Sequence, residues 1–144
     1  MIESEYIVWE AADGDHPARL AGQRSYDAVG RGAKEEWLDL FSPEAVVEDP
    51  VGPSFFDPEG NGHHGRAAIA AFWNQAIAPV SRFRFTIHDS FAGGDSCANV
   101  ATFRTTFPDG SGVDVDLVTV HRVDAAGKIV SMRAHWEPER VRPV

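Results

Sequence analysis

The sequence predicts an α+β domain in which helices come first, antiparallel strands follow, and the helices pack on one face of a curved sheet. Two observations predict it. Apolar residues recur with a helical period up to Val80, and beyond Ser81 the period changes to two. Turn signals at Gly93-Gly94, Pro108-Asp109-Gly110 and Ala126-Gly127 then separate the alternating runs at hairpin distances. The chain of 144 residues is enough for one such domain around a single core and too short for two.

Residues 1–15 mix apolar and acidic types without a sustained period and read as an N-terminal arm, with residues 16–144 as the domain. Pro17 suits a first helical turn, and Ala18, Ala21, Gly22, Ser25 and Val29 form its inward stripe up to Gly30 and Gly32. A second helix starts near Ala33, puts Trp37, Leu40 and Phe41 on one face and stops before Pro43. Residues 45–49 predict a short strand closed by Pro50. A Pro- and Gly-rich loop over 51–65 comes next, long enough to suggest function. Ile69, Phe72, Trp73, Ala76, Ile77 and Val80 then predict a third, amphipathic helix ending at Pro79. Four strands complete the chain. Their apolar faces carry Phe83, Phe85 and Ile87; Ala101, Phe103 and Thr105; Val113, Val115, Leu117, Thr119, His121 and Val123; and Val130, Met132, Ala134 and Trp136.

Composition narrows the function classes. With 13 Lys and Arg against 22 Asp and Glu the net charge is −9, which argues against nucleic acid or an anionic membrane as partner. No apolar stretch approaches the roughly 18 residues of a membrane span, and the acidic first ten residues do not resemble a secretory signal, so a soluble cytoplasmic protein is expected. The single cysteine, Cys97, suits a reducing compartment. Only two tyrosines, Tyr6 and Tyr26, are available to any mechanism that needs a phenol.

Most motifs have ordinary explanations. Gly60-Asn61-Gly62-His63-His64-Gly65 matches a dinucleotide fingerprint in letters but follows a loop and leads to antiparallel strands, so its glycines are expected to serve turns. His63 and His64 lack a further ligand at helical spacing, and no metal or other cofactor is expected. Asp114 and Asp116 read as a surface or subunit contact. His88, His121 and His135 are scattered. Asp49 is different: strand alternation puts it on the face of Ala45 and Val47, where burial raises a carboxyl pKa and makes a better proton acceptor. On this segment alone a strand-end turn cap is the simpler reading.

Val47-Glu48-Asp49-Pro50-Val51-Gly52, the run from Gly65 to Phe72, and Gly127-Lys128-Ile129-Val130-Ser131-Met132-Arg133-Ala134 together closely resemble the bacterial Δ5-3-ketosteroid isomerases of the nuclear transport factor 2-like, or SnoaL-like, superfamily. The resemblance covers roughly residues 22–138. It implies a cone-shaped, mostly antiparallel sheet, a cystatin-like α+β barrel, wrapping three N-terminal helices around an apolar pocket, and a homodimer formed through the sheet. It also implies that Asp49 is the general base that moves a proton from C4 to C6 of a 3-oxo-Δ5-steroid through a dienolate. In ketosteroid isomerases themselves a Tyr and a protonated Asp donate hydrogen bonds to the dienolate oxygen. Here the Asp position is held by Thr119, a weaker donor, and the Tyr position falls on Ser25 or, with one residue deleted, on Tyr26.

The expected site is therefore Asp49, Tyr26 and Thr119, with a wall of Phe41, Trp73, Phe83, Phe85, Phe103, Leu117, Met132 and Trp136 suited to a flat, apolar, steroid-like ligand. The loop over 53–64 is longer than the isomerase loop and could act as a lid, with Phe55 and Phe56 on the ligand. Two rival functions use the same fold: a steroid or polyketide-like binding protein with little catalysis, and another enzyme of the superfamily such as a polyketide cyclase, dehydratase or epoxide hydrolase. The last would need an Asp-Arg-Asp set, and Arg104 and Arg133 are expected on the face away from the pocket.

Overall fold

The computed structural model describes residues 4–144. Strand β1 (Ile7–Trp9) comes from the N-terminal arm and lies parallel to β4 (Arg82–Gly93), with Ile7 opposite Phe85 and Trp9 opposite Ile87. Residues 1–3 of that arm lie outside the described residues. Helix α1 (Pro17–Arg31) is capped by His16, whose Nδ1 accepts the Ala18 N–H at 3.1 Å. It ends at Gly32, whose φ of 70° is the left-handed conformation that closes a helix without a Cβ clash. Both apolar and polar residues of α1 are buried almost all round, because the sheet and helix α2 (Lys34–Leu38) cover it from different sides.

Strand β2 (Phe41–Glu48) begins four residues before the expected strand, so Phe41 belongs to it and not to the second helix. After it the short strand β3 (His63–His64) pairs back on β2, and α3 (Gly65–Phe72) runs into a π-helical turn, Trp73–Ile77. The turn is closed by Ala78 N–H to Trp73 O at 2.9 Å. Ala76 and Ile77 still pack against the cluster of Ile69 and Phe72, and such turns concentrate at functional sites.

Strands β5 (Ser96–Thr106), β6 (Gly112–Val123) and β7 (Ile129–His135) come after it, and β8 (Arg142–Pro143) pairs with the start of β6. The main path of the sheet is β1-β4-β5-β6-β7-β2-β3, antiparallel except where β1 meets β4 and β2 meets β7. Its ends do not join. The expected barrel is thus a curved but unclosed mixed sheet wrapped around three helices.

Two register shifts change which side chains face inward. Between Ile87 and Asp89 of β4 a bulge moves the inward phase from Phe85 and Ile87 to Ser90. Between β6 and β7 a second shift buries Ile129 and leaves Val130 only half-buried, against the expectation that Val130 shares the face of Met132. The core has two apolar halves, one around Trp37, Ile69, Phe72 and Ile129, the other around Ile7, Trp9, Phe85, Ile87 and Leu117.

Candidate functional site

Strand alternation positions the first site residue. Ala45 and Val47 are fully buried on the inner face of β2, and two residues on, Asp49 continues their direction and opens into a cavity of about 550 Å³. The peptide bond to Pro50 is cis, and Val51 N–H bonds Ala134 O at 2.9 Å, which keeps the chain against β7. Trp136 Nε1 donates to Asp49 Oδ1 at 2.6 Å. Among the described residues Oδ2 has no hydrogen-bond partner. The loss of hydration pushes the carboxyl pKa up to about 6 although the Trp136 hydrogen bond opposes the rise.

The rest of the wall is mostly apolar, with Gln75 and Thr105 as its further polar side chains. Phe83, Phe103, Leu117 and Trp136 line it as expected on sequence, and Phe55 and Phe56 stand at it with ring centroids 4.1 Å apart. Val113 and Val115 were also to be found, since they continue the strand face of Leu117. Phe107 and the π-turn residues Ala76 and Ile77 complete much of the wall. Its size and single carboxyl among apolar groups suit a small polycyclic ligand.

Four expected wall residues lie elsewhere. Phe41 and Trp73 pack on Trp37, with centroids 4.8 and 5.3 Å away, because α2 drives that indole into the space between them. Met132 is opposite Val47 and His121 in the sheet and is covered in the core. Phe85 is stacked under Phe83 at 5.5 Å and faces Tyr26. All four are buried, but none lines this cavity.

Tyr26 and Thr119 are brought together and buried. The Tyr26 hydroxyl and Thr119 Oγ1 are 2.5 Å apart, and Asn99 Nδ2 donates to the Tyr26 oxygen at 2.9 Å. Neither hydroxyl is on the cavity surface; Phe103 and Leu117 stand on the wall in front. Burial pushes the Tyr26 phenol up to about 12 against the Thr119 and Asn99 hydrogen bonds. Ser25, the other candidate for the donor position, turns to a different side of α1 and accepts Trp37 Nε1–H at 3.0 Å. Asn99, absent from the expected site, has the inward phase of Ala101 and Phe103, so a polar residue on a buried strand face was its signal.

His121 is fully buried beside this group, its ring 5.7 Å from that of Tyr26, and desolvation lowers its pKa to about 4. The two shifts give opposed pH dependences. Asp49, raised in the fold, favours the protonated state, so its contribution falls as pH rises from about 4 to about 6. His121, lowered in the fold, favours the neutral state, so its contribution falls as pH drops from about 6.5 to about 4. Each is worth at most about 3 kcal/mol, and they offset one another in the same window. Asp49→Asn is expected to be more stable than the parent at pH 7 and to lose stability more steeply than the parent on acidification through that window; denaturant unfolding at several pH values measures both.

The remaining motifs have structural partners. Asp57 accepts Gly62 N–H at 2.7 Å and Asn61 N–H at 3.3 Å, folding the 53–64 loop, and Gly62 has φ 82° where a Cβ would lie 2.9 Å from Val46 Cγ1. His64 Nε2 is 2.7 Å from Asn61 O, whereas His63 is half-buried on Phe72. Arg104 pairs with Asp114 and Arg133 with Glu48 on the outer face of the sheet, Arg142 pairs with Asp116, and the cavity wall carries no arginine among the described residues. Among the same residues no group of three or more His, Cys, Asp or Glu is placed to hold a metal, and no helix is long and apolar enough to cross a membrane.

Known proteins share the fold. Residues 23–132 match the family model of the SnoaL-like domain. A Steroid Delta-isomerase of Nocardioides simplex is 34% identical over 122 residues, which cover 83% of this chain and 89% of that protein. The crystal structure of a Δ5-3-ketosteroid isomerase from Mycobacterium sp. superposes with a TM-score of 0.84 at 36% identity, covering 90% of this chain and 100% of that one. A Mycobacterium tuberculosis protein crystallised with estradiol-17beta-hemisuccinate superposes at 0.82 with 32% identity, covering 88% and 98%.

Proposed function

The chain belongs to the SnoaL-like domain family, and on that premise we propose that it is a cofactor-independent steroid Δ5-isomerase acting on a 3-oxo-Δ5-steroid or a similar polycyclic ketone. The observation that carries the proposal is the Asp49 carboxyl, the one acid on the apolar wall among the described residues, with a pKa of about 6 and one oxygen left for a proton. Such a group is ionised at neutral pH yet far more basic than a surface Asp. Its Oδ2 takes a proton from C4, the electron pair moves into the 3-oxo group as a dienolate, and the same carboxyl returns the proton to C6. Trp136 holds Oδ1 throughout.

The dienolate oxygen requires a donor. Tyr26 and Thr119 carry two hydroxyl hydrogens and share one bond, so the pair keeps one hydrogen to spare, and giving it to a ligand oxygen requires Phe103 and Leu117 to move aside. This is a smaller donor set than the two-donor arrangement implied by the sequence resemblance. A cytoplasmic homodimer remains part of the proposal. Val100, 39% exposed on the outer face of the sheet beside Val118, is apolar surface that a second copy would cover.

The position of Tyr26 and Thr119 behind Phe103 and Leu117 favours a second reading, a steroid-binding protein with little turnover. One experiment separates the two. Isomerisation of 5-androstene-3,17-dione, followed by the absorbance of the conjugated enone, is expected above background, and a planar steroid phenol is expected to bind saturably. Binding without turnover supports the second reading; neither binding nor turnover sinks both.

A further inference from the structure

Behind Tyr26 runs a row of hydrogen bonds that the proton transfer itself does not use. Arg19, Gln23 and Tyr26 lie at i, i+4 and i+7 of α1, facing the sheet along the seam between the two apolar halves of the core. Arg19, 8% exposed, donates from Nε to Ser90 Oγ at 3.0 Å and from Nη2 to Ser90 O at 3.3 Å. Ser90 Oγ is 3.3 Å from Cys97 Sγ, Cys97 Sγ donates to Asn99 Oδ1 at 3.5 Å, and Asn99 Nδ2 donates to the Tyr26 oxygen at 2.9 Å.

The direction of the row comes from the inventory of hydrogens. A guanidinium can only donate. The Cys97 thiol has a single hydrogen and spends it on Asn99, so the Ser90 hydroxyl gives its own to the sulfur. Every member therefore accepts from the group behind and donates to the group ahead, starting from a cation, an arrangement in which each bond polarises the next. The β4 bulge supplies Ser90 by turning it inward. Gly22 lets α1 close on the row, since a Cβ there would stand 3.1 Å from His121 Nδ1 and 3.6 Å from Asn99 Nδ2.

We propose that Asn99 is a positioning residue for the oxyanion donor: backed by Arg19, Ser90 and Cys97, it donates to the Tyr26 oxygen and so polarises the Tyr26–Thr119 pair toward giving its spare hydrogen to a ligand. Its catalytic meaning rests on the isomerase reading, whereas the polarisation belongs to the resting protein. The Asn99 bond also opposes the burial that raises the Tyr26 pKa.

The shortage of tyrosine makes this measurable. In a Tyr6→Phe protein grown with fluorotyrosine, Tyr26 is the only phenol, and its ionisation is read by absorbance and fluorine NMR. Asn99→Leu, similar in size and without the donor, is expected to move that ionisation up by about one pH unit. Cys97→Ala, one link further back, is expected to move it the same way by less. In the isomerisation assay Asn99→Leu is expected to lower kcat about tenfold with KM within about twofold. An ionisation that neither substitution moves overturns the proposal, as does a loss of activity carried by KM alone. If Asn99→Leu does not fold, the Cys97→Ala titration decides by the same criterion. The titration needs no substrate: a parent without turnover defeats the isomerase reading only, and turnover with an unmoved titration defeats the Asn99 proposal only.

Discussion

Asp49→Asn is expected to lower the turnover of 5-androstene-3,17-dione by a factor of roughly 10²–10⁴, the range that a positioned general base contributes. The amide keeps the shape of the carboxyl and its oxygen can still accept the Trp136 N–H, so the cavity and KM should change little. What disappears is the only group on the wall, among the described residues, able to take a proton from carbon and give it back. In the parent, kcat/KM is expected to rise with pH through about 6 and level off, because only the carboxylate is competent. The variant should lose that inflection along with the rate. Its gain in stability at neutral pH would mark Asp49 as a residue kept for chemistry at the expense of the fold.

Tyr26→Phe is expected to cost about 10²–10³ in kcat, the loss typical of one oxyanion donor. The ring itself should stay in place, stacked at 5.4 Å on Phe85 and edge-on at 5.6 Å to Phe103. The hydroxyl is harder to replace. Without it the Asn99 amide and the Thr119 hydroxyl each lose a buried partner, and about 1–3 kcal/mol of stability should go as well. Initial rates and a thermal melt on the same sample separate the two effects. A variant that turns over like the parent would show that the buried hydroxyl never meets the ligand oxygen, as its place behind Phe103 and Leu117 would then imply.

Much of this site was legible in the sequence because it comes from strand alternation. The inward direction of Asp49 is set by Ala45 and Val47, and the contributions of Phe103, Leu117 and Trp136 to the wall come from uninterrupted runs of period two. The misplacements occur where that period is broken by features the letters do not announce. Phe41 lies on a strand because α2 is only five residues long. Val130 is displaced by the register shift between β6 and β7. Depth was the other blind spot. Phe85 and Met132 face inward as their phase requires, but periodicity does not say whether a side chain reaches a cavity or stops behind another ring. The choice between Ser25 and Tyr26 could not be made from one amphipathic stripe, since α1 is buried on both sides and each residue finds its partner on a different one.

The central claim is that a single carboxyl carries the proton across the substrate. The most direct test is isomerisation of a 3-oxo-Δ5-steroid deuterated at C4, with the conjugated product examined by NMR for deuterium at C6. Product is expected well above background, with deuterium delivered to C6 by the parent and not by Asp49→Asn. Product at the background rate, or deuterium at C6 that is unaffected by Asp49→Asn, would contradict the claim.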